Sequence, residues 1–324
     1  MKKNVIYNQK FETNNLPDKC AKLIIADPPY FEVKGKFDFV WESFEHYLKD
    51  VEKWAKECKR LLADNGTLLW YGDAKKIAYS QIIFDKYFKL LNSVVWENTN
   101  PHKQQLKFSE DLRSFAPLTE RLLMYEGKSK DLWSLNLTTS VKITREYIRK
   151  EIERAKGKII FKDVNTALGT ATNGGGVASA CLSLNKTEPA MITEEMYLKI
   201  RDWLNADFKG EFLRREYEDL RREYEDLRRP FNNYFNLGDV IKFPNFETSK
   251  NEHDTIKPEK LTRILIQTCS RPGDLVLVPF AGSGTECAMS LKEKREFIGF
   301  EIEPKYIEIS ERRIKEIKFK PTLF

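Results

Sequence analysis

The sequence predicts a doubly wound, mostly parallel α/β sheet whose chain is interrupted by a mainly helical insertion. Three observations predict it. Apolar, strand-like runs alternate with helical patterns over residues 1–127. The same alternation returns over 251–324, and the stretch between, 128–250, loses it.

Each element has its own warrant. Residues 22–26, apolar from Leu23 onward, read as a strand. Residues 43–63 place apolar side chains at helical spacing, and Asn65-Gly66 then turns the chain into the strand T-L-L-W-Y-G-D. A helix over 74–88 and strands over 90–97 and 120–126 complete the first piece. In the second piece, Pro258 suits the first turn of a helix ending near Ser270. The strand D-L-V-L-V-P-F, a glycine turn entering a helix, the strand E-F-I-G-F-E and a last helix from Pro304 follow.

The insertion is polar and basic. Residues 142–162 are richer in Lys and Arg than in acids, which suits either a solvated helix face or phosphate contacts. Residues 161–183 read as two short helices around a glycine break, a helix-turn-helix-like pattern. At 213–231 the unit L-R-R-E-Y-E-D occurs twice and is followed by L-R-R-P-F. Leu213, Tyr217, Leu220, Tyr224 and Leu227 lie on one stripe of a charged helix, with Glu218 and Arg222 at i,i+4. Two heptads are too few for a coiled coil, so a spacer or docking helix stopped at Pro230 is expected.

Composition narrows the class. Of 324 residues, 41% are hydrophobic and 32% charged, enough apolar material for a sizeable core. No apolar run approaches the ~20 residues that span a bilayer, and the start M-K-K-N-V-I-Y-N lacks the apolar core of a secretory signal. Five cysteines without C-x-x-C spacing, and three histidines, fit reduced thiols in a cytoplasm and no metal site. The net charge of +6 permits a polyanionic partner.

Two stretches carry chemistry. The strand Leu23–Ala26 runs into Asp27-Pro28-Pro29-Tyr30, a carboxylate, two stiff residues and a ring where the strand should end. Downstream, Phe280-Ala281-Gly282-Ser283-Gly284-Thr285 joins a strand to a helix, as loops do that bring a ligand to backbone N–H groups. It lacks the lysine of a P-loop and the third glycine of a dinucleotide fingerprint. Glu301 closes the next strand, where an acid can accept ribose hydroxyls. Ribose without a phosphate clamp points to S-adenosylmethionine.

Together, and in this order, the D-P-P-Y motif, the insertion and the F-A-G-S-G-T loop resemble the β class of S-adenosylmethionine-dependent DNA amino-methyltransferases. The segment His253-Asp254-Thr255-Ile256-Lys257-Pro258 with Leu261, and Glu301 with Pro304 and Tyr306, resemble further family pieces. The resemblance covers most of 20–127 and 250–316. It implies a Rossmann-like methyltransferase sheet in circularly permuted motif order, and assigns 128–250 to target recognition. It implies that Phe280 to Thr285, Glu301 and Lys257 hold the cofactor, Lys257 at its methionine end. Asp27 and the Pro28 carbonyl would accept the two N–H bonds of an exocyclic amine, Pro29 would stiffen the loop, and Tyr30, with Phe31 beside it, would stack on a flipped base. Arg145, Arg149, Lys150, Lys158, Lys162 and Asn173 are the expected contacts to double-stranded DNA. A homodimer and a cognate restriction endonuclease are further candidate partners, in a bacterial cytoplasm or, for a phage-encoded chain, the host's.

The chain departs from the family pattern twice. Val278 stands where an Asp is usual before Pro279, and the N-terminal strand offers only Asn8 or Gln9 where an acid is common. No cysteine follows a proline, which excludes thiolate attack at carbon 5 of cytosine. Asp, rather than Ser, before Pro-Pro-Tyr favours adenine over cytosine N4. A methyl transfer to RNA or protein, and a non-catalytic assembly subunit, are the other classes. The late position of the cofactor loop speaks against the first, and an intact Asp27 and Tyr30 against the second.

Overall fold

The computed structural model describes residues 2–33, 38, 40–100, 115, 117–127, 140–170, 176–185, 190–244 and 256–319, with backbone alone at 140–143, 224–227 and 318–319. The chain forms two compact units, Met1–Lys128 with Pro230–Phe324, and Ser129–Arg229. The first contains β1 (Val5–Asn8), β2 (Ala21–Ala26), α1 (Phe44–Leu61), β3 (Leu62–Asp73), α2 (Ile77–Phe84), β4 (Phe88–Asn98) and β5 (Thr119–Gly127). The second contributes α3 (Ser140–Lys156), α4 (Phe161–Leu168), α5 (Gly176–Leu182), α6 (Glu194–Asp207) and α7 (Tyr217–Leu227). The first unit resumes with β6 (Val240–Phe243), α8 (Glu259–Cys269), β7 (Leu275–Val278), α9 (Thr285–Lys292), β8 (Glu296–Glu301) and α10 (Pro304–Phe319).

One eight-stranded sheet runs in the order β1-β8-β7-β2-β3-β5-β4-β6. It is parallel throughout except at β5, which is antiparallel to both β3 and β4. The expected insertion therefore ends early in space: β6, at residues 240–243, pairs with β4 in the main sheet. Alternation along the strands splits the core in two. Ile24 and Ala26 of β2 face α1 with Trp54, Trp70 and Phe84. Leu23 and Ile25 face the opposite side with Leu261, Ile266 and Met289 of α8 and α9. Helix α1 shows why its segment folds so. Ser43 caps it by accepting the His46 N–H, and Tyr47, Val51, Trp54, Ala55, Cys58 and Leu61 bury one stripe.

The second unit has a core of its own. Ile148, Ile152, Val164, Leu168, Tyr197, Ile200, Leu213 and Leu220 pack together. The Asn165 side chain ties α4 to α5 by accepting the Ala178 N–H at 2.8 Å. The repeat forms α7, whose Tyr217 is buried and donates its hydroxyl to the Ile192 carbonyl. The i,i+4 pair expected between Glu218 and Arg222 is replaced by two i,i+3 pairs, Glu218–Arg221 and Asp219–Arg222. All four groups are exposed, so these pairs add little to stability.

The turn into α9 depends on one glycine. Gly284 has φ 75°, and a Cβ there would lie 2.4 Å from Ser310 Cβ of α10. Gly284→Ala is expected to cost about 2–4 kcal/mol. Gly273→Ala is the control, because Gly273 has a similar φ of 86° and open space around it. Thermal melts of the two variants separate collision from backbone strain, and equal losses would remove the collision argument.

Candidate active site

The two motifs meet because β2 and β7 are neighbours. Leu23 and Ile24 pair with Val276 and Leu277, so Asp27 and the glycine loop leave the same sheet edge side by side. Here the chain turns in opposite directions. From β2 it crosses by α1 to β3 on one side, and from β7 by α9 to β8 on the other. Ligands of doubly wound sheets bind at such a switch point. A cavity of about 1130 Å³ lies there, its wall including Asp27, Tyr30, Phe280, Gly282, Glu286 and Glu301. Drug-sized ligands fill about 300–1,000 Å³, so there is room for a cofactor and an extruded base.

Asp27 is held on one oxygen. Its Oδ1 accepts the Tyr30 hydroxyl at 2.7 Å and lies 3.0 Å from Lys257 Nζ. Among the described residues no hydrogen bond reaches Oδ2. Lys257 also donates to Glu120 Oε2 at 3.0 Å, and its Nζ lies over the Tyr30, Tyr71 and Trp96 rings at 5.6, 4.9 and 5.9 Å. Burial works against this ammonium, but Asp27 and Glu120 together outweigh it and hold it above the ordinary lysine range. Burial, then the Asp27 charge, pushes the Tyr30 hydroxyl well up, which keeps it a donor. The Tyr30 N–H donates to the buried Asp38 carboxylate at 2.6 Å, pinning the end of the D-P-P-Y loop. Phe31 differs from expectation. It is buried against Phe44 and Tyr47 and is a core residue rather than a second stacking ring.

The glycine loop is braced from three sides. Ala281 N–H donates to the Phe300 carbonyl at 2.8 Å, and Gly282 N–H to Glu301 Oε2 at 2.8 Å. Arg313 donates to Ser283 and Thr285 and pairs with Glu259. Phe280 meets Trp54 edge-to-face with centroids 4.9 Å apart. The loop keeps its shape over a buried Val278, without the acid the family pattern has there. Glu301 Oε1 accepts the Ile302 and Glu303 N–H groups at 2.8 and 2.9 Å. With two lone pairs per oxygen, the carboxylate keeps one acceptor position, on Oε2, where two had been expected. Gln9 lines the cavity, whereas the Asn8 amide is spent on the Glu301 and Ile302 carbonyls.

Sequence reasoning missed Glu120, Tyr71, Trp96 and Glu286. Glu120 escaped because its strand was read as parallel, which would put the start of β5 at the far edge. Antiparallel β5 sets Glu120 opposite Asp73, at the edge where β2 and β3 end. Glu286, an acid in the first turn of α9, carries no distinguishing signal in the sequence. It is 5% exposed, its Oε1 is buried without a hydrogen-bond partner, and burial followed by the Asp27 charge raises its pKa to about 7. A folded-state pKa above the unfolded 4.5 means the folded chain holds a proton that the unfolded chain releases. Stability on this account is full below pH 4.5 and falls as pH rises towards 7. Glu286→Gln, which cannot titrate, is expected to gain about 3 kcal/mol over the parent chain between pH 4.5 and 8. Urea melts at the two pH values check it, and a pH-independent difference would refute it.

The expected DNA contacts divide. Arg145 is buried and donates to the Ser183 carbonyl, and Arg149 donates to the Leu182 carbonyl at 2.8 Å. Both guanidinium groups serve carbonyls at the C-terminal end of α5. Lys150, Lys158 and Lys162 are exposed. Asn173 and His253–Thr255 lie outside the described residues. No described helix is long and apolar enough to cross a membrane, and no metal-ligand cluster occurs among the described residues.

A family model for DNA methylases matches residues 21–312. The chain belongs to this family. DNA adenine methyltransferase YhdJ of Escherichia coli (strain K12) is 36% identical over 308 residues, covering 94% of this chain and 79% of its own. Type II methyltransferase M.HinfI of Haemophilus influenzae is 25% identical over 337 residues. That match covers 94% of this chain but 66% of M.HinfI, just under two thirds. The solved PvuII DNA methyltransferase (cytosine-N4-specific) has the same fold, with a TM-score of 0.51 at 12% identity over 98% of this chain and 87% of that one.

Proposed function

We propose that this DNA methylase is a site-specific adenine-N6 methyltransferase acting on double-stranded DNA. The observation that carries the reading is the meeting of Asp27-Pro28-Pro29-Tyr30 and the glycine loop at one cavity on adjacent strands. The likeness to an adenine methyltransferase over most of both chains supports adenine as the base. The residues fit S-adenosylmethionine. Glu301 keeps an acceptor for a ribose hydroxyl, Phe280 forms a wall, and Gly282, Ser283 and Thr285 of the loop line the same cavity. That cofactor supplies an electrophilic methyl on a positively charged sulfur.

The chain's own groups do the rest. Asp27 Oδ2 and the Pro28 carbonyl each accept one N–H of the adenine amine, drawing its lone pair out of the ring. Lys257 and the Tyr30 hydroxyl fix Oδ1, so the acceptor does not reorient during transfer. The Tyr30 ring stacks on the extruded base, worth about 1–3 kcal/mol. The exposed Lys150, Lys158 and Lys162 meet phosphates, which position the duplex without reading it.

Incubation with radiolabelled cofactor and unmethylated plasmid, followed by nucleoside analysis, tests this reading. Label in N6-methyladenine is expected. Label in N4-methylcytosine would move the substrate to cytosine, and unlabelled DNA with the cofactor bound would end the enzyme reading. Titration of the labelled chain against its own dilution, and survival of methylated plasmid in the source cell, address the homodimer and the restriction partner.

A further inference from the structure

Glu286 is a buried acid, one of whose carboxyl oxygens, Oε1, finds no hydrogen-bond partner among the described residues. It lines the cavity and is 5% exposed. The two cations near it are already engaged. Lys257 is shared by Asp27 and Glu120, and Arg313 by Ser283, Thr285 and Glu259. On the inner wall three carboxyl groups, Asp27, Glu120 and Glu286, thus face a single ammonium. An unpaired carboxyl in such a place costs stability unless a bound cation with hydrogens to donate completes it.

The ligand class follows from what the group lacks. A sulfonium carries charge but no donor, so it cannot satisfy Oε1. A primary ammonium brings both charge and three N–H donors. Glu286 is the second residue of α9, two beyond Gly284, so its backbone belongs to the glycine-loop wall of the cavity while its carboxyl also feels the Asp27 charge. Resting on the cofactor reading above, we propose that Glu286 receives the α-ammonium of S-adenosylmethionine. The chain thereby has a specificity residue in the first turn of α9, supplementing a methionine end that Lys257, bound to Asp27 and Glu120, does not reach as a free cation.

Calorimetric titration separates the possibilities. The probes are S-adenosylhomocysteine, which has the ammonium but no sulfonium, and its analogue with hydrogen in place of the α-amino group. The parent chain is expected to prefer the amine about 10- to 100-fold, the range for a hydrogen bond to a charged group. Glu286→Gln is expected to lose most of that preference while binding the deaminated analogue as the parent does, and Glu286→Asp to recover part of it. Equal discrimination by parent and Glu286→Gln would overturn the proposal. So would a Glu286→Gln chain that keeps its cofactor affinities and loses only DNA methylation, since the carboxyl would then serve the target amine. A parent chain that binds neither compound would overturn the cofactor reading itself, a distinguishable result.

Discussion

Asp27→Asn is expected to slow methyl transfer by about 10³-fold while leaving cofactor affinity within about threefold. The substitution is nearly isosteric. An amide oxygen at the Oδ1 position can still accept the Tyr30 hydroxyl and the Lys257 ammonium, so the loop keeps its contacts. At the Oδ2 position the amide puts an NH₂ where an acceptor must stand. Donor then faces donor at the target amine, and its lone pair stays in the ring. Single-turnover rates on a plasmid substrate, with cofactor binding by calorimetry, measure both quantities. Loss of cofactor binding in Asp27→Asn would place Asp27 on the cofactor rather than on the base.

Lys257→Met is expected to destabilise the chain by about 3–5 kcal/mol, the cost of removing one partner from a buried ionic cluster. The methionine fills the space over Tyr30, Tyr71 and Trp96 but leaves Asp27 and Glu120 facing each other, with side chains only 19% and 31% exposed. Adding Glu120→Gln to Lys257→Met removes one of those charges and is expected to restore part of the loss, which a double-mutant cycle reads directly. A loss under about 1 kcal/mol for Lys257→Met would show that the carboxyl groups find other partners.

Much of this site was legible in the sequence, and the reasons are local. Asp27 to Tyr30 and Phe280 to Thr285 are contiguous motifs, each bounded by a strand whose apolar run is plain. Glu301 was legible because an acid closing E-F-I-G-F-E has a position as well as a charge. What stayed hidden depends on direction and on tertiary contact. Strand direction is not written in an apolar run, so Glu120 could not be sent to the right edge. Arg145 and Arg149 look like phosphate ligands in a basic helix, and only the fold reveals the α5 carbonyls they face. Phe31 follows an exposed-looking tyrosine but turns into the α1 side of the core. The end of the insertion was misplaced because β6 is four residues long, too short to announce a return to the sheet.

The pairing of β2 with β7 has a consequence for how the chain is made. β2 is complete at Ala26, and its partner begins at Leu275. Ribosomes add about 5–20 residues per second, so β2 waits about 10–50 seconds for that partner while α1, β3 and the whole second unit appear. During that interval the edge of β2 offers Leu23, Ile24 and Ile25 to any other strand. An unpaired edge is where a foreign strand can add, so the interval between the two syntheses is the period in which this chain is open to mispairing.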